Sequence, residues 1–347
     1  MSFMESWPVS LKVITFILAL IIGIFCLVKF CDIFVDASCS IAKKLHISEL
    51  IIGLTIVAMG TSCPELAVSV SDSISTLING GNANVAIGNV VGSNICNLLL
   101  VLGASCLFTP IIVKKSICKK EYPFLIGISI LLVIFVIFFG LNSFVGEYVV
   151  TRIEGIIFVL LIGVYIYLLI KSSKNNNEQI NEEVSEIKEI KLWKSIILVI
   201  VGCAGIIFGG EAVVFGAKGI ALEISDAAHL NHDLAEALIG LTIVAVGTSL
   251  PELVTSVVAS KKGQNELALG NVIGSNIFNT LFVLGISATV NPLTSGSQIV
   301  VDVIFMLVVT LLVFVFALKG KIGKVHGYIL LCLYLGYLAY LVTRTII

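Results

Sequence analysis

Charge is scarce in this chain. Asp, Glu, Lys and Arg make up 12% of its 347 residues, where a soluble globular domain carries about 25%. With 58% hydrophobic residues and a mean hydropathy of +1.11, this composition cannot cover a water-soluble surface. Paired cysteines are also missing. The nine cysteines stand singly, mostly inside apolar runs, as Cys26, Cys96, Cys106 and Cys203 do. Without a Cys-x-x-Cys pair, neither a zinc site nor a disulfide framework is indicated. No basic patch with interleaved aromatics is present, which argues against nucleic acid as a partner. The formal net charge of -1 is the sum of few, segregated charges and says nothing about partners. The apolar runs hold no Ser/His, paired-Asp or HExxH arrangement, so an intramembrane hydrolase, and an enzyme generally, is not expected. The start of the chain has only Lys12 as a basic element and lacks a small-residue cleavage site. It reads as a retained first helix and not as a signal peptide.

What the chain has is long apolar runs. A spanning helix needs roughly 20 such residues. Ten candidates stand at 11–30, 48–77, 84–107, 122–141, 151–170, 193–216, 235–260, 266–289, 298–318 and 325–345. The second and seventh are long and contain Pro64 and Pro251, so each is expected to be a broken helix. With the N-terminus outside, 17 of the 21 Lys and Arg fall on the cytoplasmic side and only Lys12, Arg152, Lys218 and Arg344 fall outside. The positive-inside rule selects that orientation, with both termini outside and a cell-membrane location. The expected fold is an all-α polytopic membrane protein of ten transmembrane helices.

The chain also repeats itself. Residues 51–69 and 238–256 are identical at 14 of 19 positions, and 86–103 and 268–285 at 13 of 18. Five spans per copy put the copies in opposite orientations. The expected organisation is a first five-helix repeat at 1–171, a cytoplasmic linker at 172–192 and a second, inverted repeat at 193–347. The polar linker shows no EF-hand spacing for its glutamates and is expected to be a solvated connection. Inverted repeats with interrupted helices are a common plan for secondary transporters, with the site near the midplane at the repeat interface.

Each copy buries one carboxylate in an apolar run, Glu65 and Glu252. An ionisable group inside the membrane costs at least about 2.5 kcal/mol and marks a functional site by default. Thr61 and Ser62 stand four and three residues before Glu65, on the same helical face, and Thr248 and Ser249 stand likewise before Glu252. Pro64 and Pro251 have no N–H for the carbonyls of Gly60 and Gly247, and freed carbonyls in a water-poor setting need partners. A cation is one such partner. Ser93 and Asn97, like Ser275 and Asn279, are four apart and present a hydroxyl and an amide to a common side. Gly88 and Gly92, with Gly270 and Gly274, are read as close-packing positions. Asn89, Asn94, Asn271 and Asn276 are read as helix–helix hydrogen-bonding groups. The ligand set is oxygen throughout, which suits hard cations and, around a flexible broken helix, Ca2+ over Mg2+. Two glutamates bring -2, which one Ca2+ or two or more Na+ would neutralise.

Other polar residues carry less. His229, His232, Asp226, Asp233 and Glu236 read as a wet outer loop. Asp32 and Asp36 read as interfacial, and Asp72 as a residue that could line an entry path. Glu211 and Asp302 lie in or near apolar runs without an aligned repeat partner.

The Gly-Thr-Ser-x-Pro-Glu motif at 60–65 and 247–252 and the Gly-Asn-Val-x-Gly-Ser-Asn-Ile-x-Asn motif at 88–97 and 270–279 resemble the paired alpha repeats of cation/Ca2+ antiporters. Within that superfamily the chain most resembles prokaryotic Na+/Ca2+ exchangers. The resemblance implies Na+-driven Ca2+ extrusion by alternating access, with Ca2+ and Na+ as transported substrates. It implies no cofactor and no obligate protein partner. It places Ca2+ on Glu65 and Glu252 with main-chain oxygens of Thr61 and Thr248. It adds Ala58, Ser62, Ser93, Asn97, Ala245, Ser249, Ser275 and Asn279 for Na+. K+-dependent relatives have Asp where Asn279 stands here. Proton-coupled members have Gly-Asn-x-x-Glu in place of the motif at 60–65. A Ca2+/H+ antiporter stays the alternative, and a cation channel the more distant one.

Overall fold

The computed structural model describes residues 7–45, 47–79, 85–139, 141–142, 147–175, 191–227 and 245–346. Its helices are α1 (Val9–Leu45), α2 (Glu49–Thr61), α3 (Cys63–Asn79), α4 (Val85–Phe108), α5 (Lys115–Ile137), α6 (Arg152–Asn175), α7 (Leu192–Ala227), α8 (Ala245–Thr248), α9 (Leu250–Lys261), α10 (Asn265–Val290), α11 (Gln298–Leu318) and α12 (Lys324–Ile346). Among the described residues, eight are long and apolar enough to cross a membrane, or nine with α2 and α3 as one bent span. The seventh of the ten expected spans has its first half at 235–244 outside the described residues. So are the loop residues His229, His232, Asp233 and Glu236, and most of the expected linker.

The predicted breaks are where the prolines suggested. Helices α2 and α3 meet at 48°, with Ser62 between them at φ -83°, ψ 8°. Ser249 separates α8 from α9 in nearly the same conformation, φ -89°, ψ 5°. Pro64 and Pro251 then occupy the second position of the following helix, where a missing N–H costs nothing.

Two expected boundaries need correction. The first and sixth spans, expected at 11–30 and 193–216, are helices of 37 and 36 residues. Asp32 and Asp36, read as interfacial just beyond the first span, instead lie within α1. Its later turns bury Phe34, Val35, Cys39 and Ile41, and Asp32 and Asp36 are paired with Lys262 at 3.2 and 2.7 Å. Helices α1 and α7 lie backbone to backbone. A Cβ on Gly23 would sit 2.8 Å from the Gly209 carbonyl oxygen, and one on Gly209 would sit 2.8 Å from the Leu27 nitrogen. Small residues permit this approach, and dispersion then holds helices that lipid cannot drive together.

The centre is built by α4 and α10. Their apolar windows are 78% and 94% buried, against 17–44% for the other single-helix spans, and α10 has the lowest hydropathy of the set, 1.5. Polar side chains are tolerated there because they face protein and not lipid. Gly270 and Gly274 of α10 press on α2: a Cβ on Gly274 would lie 2.7 Å from the Leu54 Cα. This bears out their reading as close-packing positions. No described residue comes within 4 Å of a Cβ placed on Gly88 or Gly92.

The all-α expectation also needs a small amendment. The connections carry short strands: β1 (Ile111–Ile112), β2 (Leu141–Asn142), β3 (Glu147–Val150), β4 (Leu293–Ser295) and β5 (Lys321–Ile322). β1 pairs antiparallel with β5, and β3 lies between β2 and β4. Backbone groups at the ends of the bundle thereby satisfy one another. Polar pairings sort between the two ends as alternate crossing requires. Lys114 with Glu266, and Lys262 with Asp32 and Asp36, stand at the end of β1 and β5. Lys12 with Glu223, and Asn291 with Thr76, stand at the other.

Candidate functional site

The two broken helices each start a new helical segment just before a carboxylate. Glu65 is the third residue of α3 and Glu252 the third of α9. The N-terminal ends of α3 and α9 carry partial positive charge, which favours an anion there. Both glutamates are fully buried. Their hydrogen bonds tie the copies together. Ser62, in the first copy, donates to Glu252 Oε1 in the second at 3.0 Å. Ser93 of α4 donates to Glu65 Oε1 at 3.2 Å. The second carboxylate oxygen of each glutamate has no hydrogen-bond partner among the described residues.

Threonine and asparagine extend the cluster. Thr61 Oγ1 donates to Asn271 Oδ1 at 3.1 Å and lies 3.5 Å from Ser275 Oγ. Asn97 and Asn279 are fully buried with both amide atoms unpartnered among the described residues, as is the Ser249 hydroxyl. Each asparagine opens a five-residue π-turn, Asn97–Val101 in α4 and Asn279–Val283 in α10. Such turns recur at functional sites because they re-aim side chains within a helix. A third π-turn, Gly53–Val57, ends just before Ala58. Leaving a buried polar group unpaired costs about 1–3 kcal/mol. Here the unpaired atoms fall on matched residues of both copies and around two carboxylates. Their chemistry is oxygen-rich and anionic, as a hard-cation site requires.

The structure therefore brings together Glu65, Glu252, Ser62, Ser93, Thr61 and Ser275. Ala58 packs against Gly274. Ala245 opens α8 and Thr248 closes it. The four motif asparagines do pair helices. Asn89 donates to the Glu65 carbonyl and Ser69, and Asn271 donates to the Glu252 carbonyl and Ser256. Asn94 and Asn276 donate to each other's main-chain carbonyls at 3.5 and 3.2 Å.

Two partners escaped the sequence reading. Asn271 also receives Thr61. Cys203 of α7 donates its thiol to the Gly60 carbonyl at 3.2 Å, supplying the donor that Pro64 withholds. The missing N–H of Pro64 signalled that a donor had to come, but not from which helix. Asp72 accepts from the backbone N–H groups of Val85 and Ala86 at 3.2 and 3.3 Å, so it caps α4. Asp302 is held by Arg344 at 2.8 Å and by the Tyr337 hydroxyl at 3.2 Å. Glu211 stands exposed on α7. Among the described residues no group of three or more His, Cys, Asp and Glu forms a cluster.

The sequence profile described as "Sodium/calcium exchanger protein" matches residues 15–171 and 194–343, with both glutamate motifs inside the matched ranges. The chain belongs to the sodium/calcium exchanger family. Among its relatives are a protein described as putative antiporter CaxA of Alkalimonas amylolytica, 36% identical over 91% of this chain and 95% of that one. Sodium/calcium exchanger MaX1 of Methanosarcina acetivorans is 32% identical over 93% and 97%. The solved structure of the sodium/calcium exchanger from Methanococcus jannaschii superposes with a TM-score of 0.77, at 31% identity over 94% of this chain and 98% of that one. The chain is thus a predominantly helical, multi-pass membrane protein of a cation/Ca2+ antiporter family and not an enzyme.

Proposed function

We propose that this family member exchanges Na+ for Ca2+ across the cell membrane by alternating access, extruding Ca2+ at the expense of the Na+ gradient. The observation that carries the reading is the doubled site: two fully buried glutamates from two sequence copies, with Ser62 of the first copy bonded to Glu252 of the second and unpaired oxygens around them. Residues 1–171 and 193–347 act as two inverted units joined by 172–192. Glu65 and Glu252 hold Ca2+ with the main-chain oxygens of Thr61 and Thr248. Ser62, Ser93, Asn97, Ser249, Ser275, Asn279 and the carbonyls of Ala58 and Ala245 serve Na+. Both cations are substrates, and bare carboxylates at this depth oppose a change of access without them. Exchange is therefore obligatory.

The hydrogen bonding supports alternating access. Ser62 reaches Glu252, whereas its counterpart Ser249 makes no such bond to Glu65, which is held by Ser93 instead. An inverted-repeat transporter caught in one access state breaks its internal symmetry at the site.

The test is radiolabelled Ca2+ uptake by proteoliposomes. Uptake driven by an outward Na+ gradient supports the proposal. Uptake driven only by a proton gradient would replace it with Ca2+/H+ antiport, and robust Ca2+ flux without any counter-cation would indicate a channel.

A further inference from the structure

A second feature recurs in both sequence copies, away from the ion site. Glu121, at the cytoplasmic end of α5, is buried and accepts from the Tyr165 hydroxyl at 3.0 Å. The Tyr165 ring stacks on Phe124, with centroids 4.6 Å apart and planes 11° off parallel. On α11 and α12, Asp302 is buried and accepts from the Tyr337 hydroxyl at 3.2 Å. Tyr337 stacks on Phe305 at 5.0 Å and 10°. Phe124 and Phe305 each stand three residues after their carboxylate. The arrangement is one carboxylate, one tyrosine and one phenylalanine, built twice.

The copies differ in the cation. In the second, Arg344 stands seven residues after Tyr337 and donates to both oxygens of Asp302 at 2.9 and 2.8 Å. Seven residues after Tyr165 the sequence has Ser172. Beside Glu121 there is instead a groove of about 420 Å³ between α5 and α6, with Lys120 and Lys171 at its rim and Phe124 and Leu169 in its wall. Both lysines lie on the lysine-rich, cytoplasmic side, at headgroup depth of the inner leaflet.

We propose that this groove binds an inner-leaflet phospholipid whose headgroup carries both a primary ammonium and a phosphate, a phosphatidylethanolamine. The ammonium donates to Glu121 as Arg344 does to Asp302. The phosphate lies on Lys120 and Lys171, and one acyl chain lies along Phe124 and Leu169. The charge pattern selects the class. A choline headgroup has no N–H to donate, and a glycerol headgroup has no cation for Glu121.

The test is native mass spectrometry of the purified full-length protein with phosphatidylethanolamine, phosphatidylcholine or phosphatidylglycerol of identical chains. Phosphatidylethanolamine is expected to be retained about tenfold better than either other lipid, the ratio for one charge-assisted hydrogen bond. Glu121→Gln should abolish the preference. Equal retention of all three lipids, or an unchanged preference in a folded Glu121→Gln protein, overturns the proposal. Preferential phosphatidylglycerol binding lost only in Lys120→Ala/Lys171→Ala overturns the ammonium assignment. The binding measurement needs no transport, so its failure and a failure of the exchange reading are distinguishable.

Discussion

Glu252→Gln is the most informative single change at the ion site. It keeps the side chain's shape and its acceptor for Ser62, 3.0 Å away, and removes one of the two formal charges. At an ion–carboxylate separation of about 4 Å and an effective dielectric of about 20, one pair of unit charges is worth about 4 kcal/mol. Ca2+ carries twice the charge of Na+ and loses twice the attraction. Even the single-charge figure corresponds to roughly a thousandfold in Kd. Thermal unfolding in detergent gives a direct assay. Wild-type protein at a Ca2+ concentration of 100 Kd gains about 2.7 kcal/mol, whereas the variant at the same concentration, then a tenth of its own Kd, gains less than about 0.1 kcal/mol. Without ions the sign reverses: the variant buries one charge fewer and should be at least as stable as wild type. Glu65→Gln should behave alike. A Ca2+-induced stabilisation preserved in both variants would refute the two-carboxylate site.

Three further outcomes are expected. Asp72→Ala removes the cap from α4, costing about 1 kcal/mol in thermal unfolding with the half-saturating Ca2+ concentration unchanged; a several-fold rise in that concentration would put Asp72 on the entry path. Arg344→Gln leaves Asp302 with only Tyr337, and the partly buried pair should show a loss of about 1–3 kcal/mol, measured by denaturation, with exchange kinetics preserved. Gly209→Val forces a Cβ to within 2.8 Å of the α1 backbone and should cost at least about 1–3 kcal/mol, seen as loss of monodisperse protein on size exclusion. Gly336→Val, with no described neighbour within 4 Å, is its neutral control.

Much of the fold was legible because it rests on local chemistry. Low charge and long apolar runs dictate spanning helices. Proline fixes its own φ and lacks its own N–H, so the breaks before Glu65 and Glu252 could be located from Pro64 and Pro251 alone. The helix ends of α1 and α7 were not legible. Helix α1 runs on because its later turns bury Phe34, Val35, Cys39 and Ile41 and because Asp32 and Asp36 find Lys262, over 220 positions away; α7 runs on beside it, with Glu223 paired to Lys12.

The sequence by itself determined the residue inventory of the site: one glutamate, one Thr-Ser pair and one Ser/Asn pair in each of two copies. These are set by residue type and short spacing. Only the tertiary structure decided how they combine. Ser62 serves the other copy's glutamate, Thr61 crosses to Asn271, and Cys203 supplies the donor for Gly60. Such pairings join residues that are distant in the chain, and the repeat makes each motif chemically equal to its twin. Nothing in either motif specifies which carboxylate its serine will reach. Packing of α2, α4, α9 and α10 makes that choice, and makes it differently in the two copies.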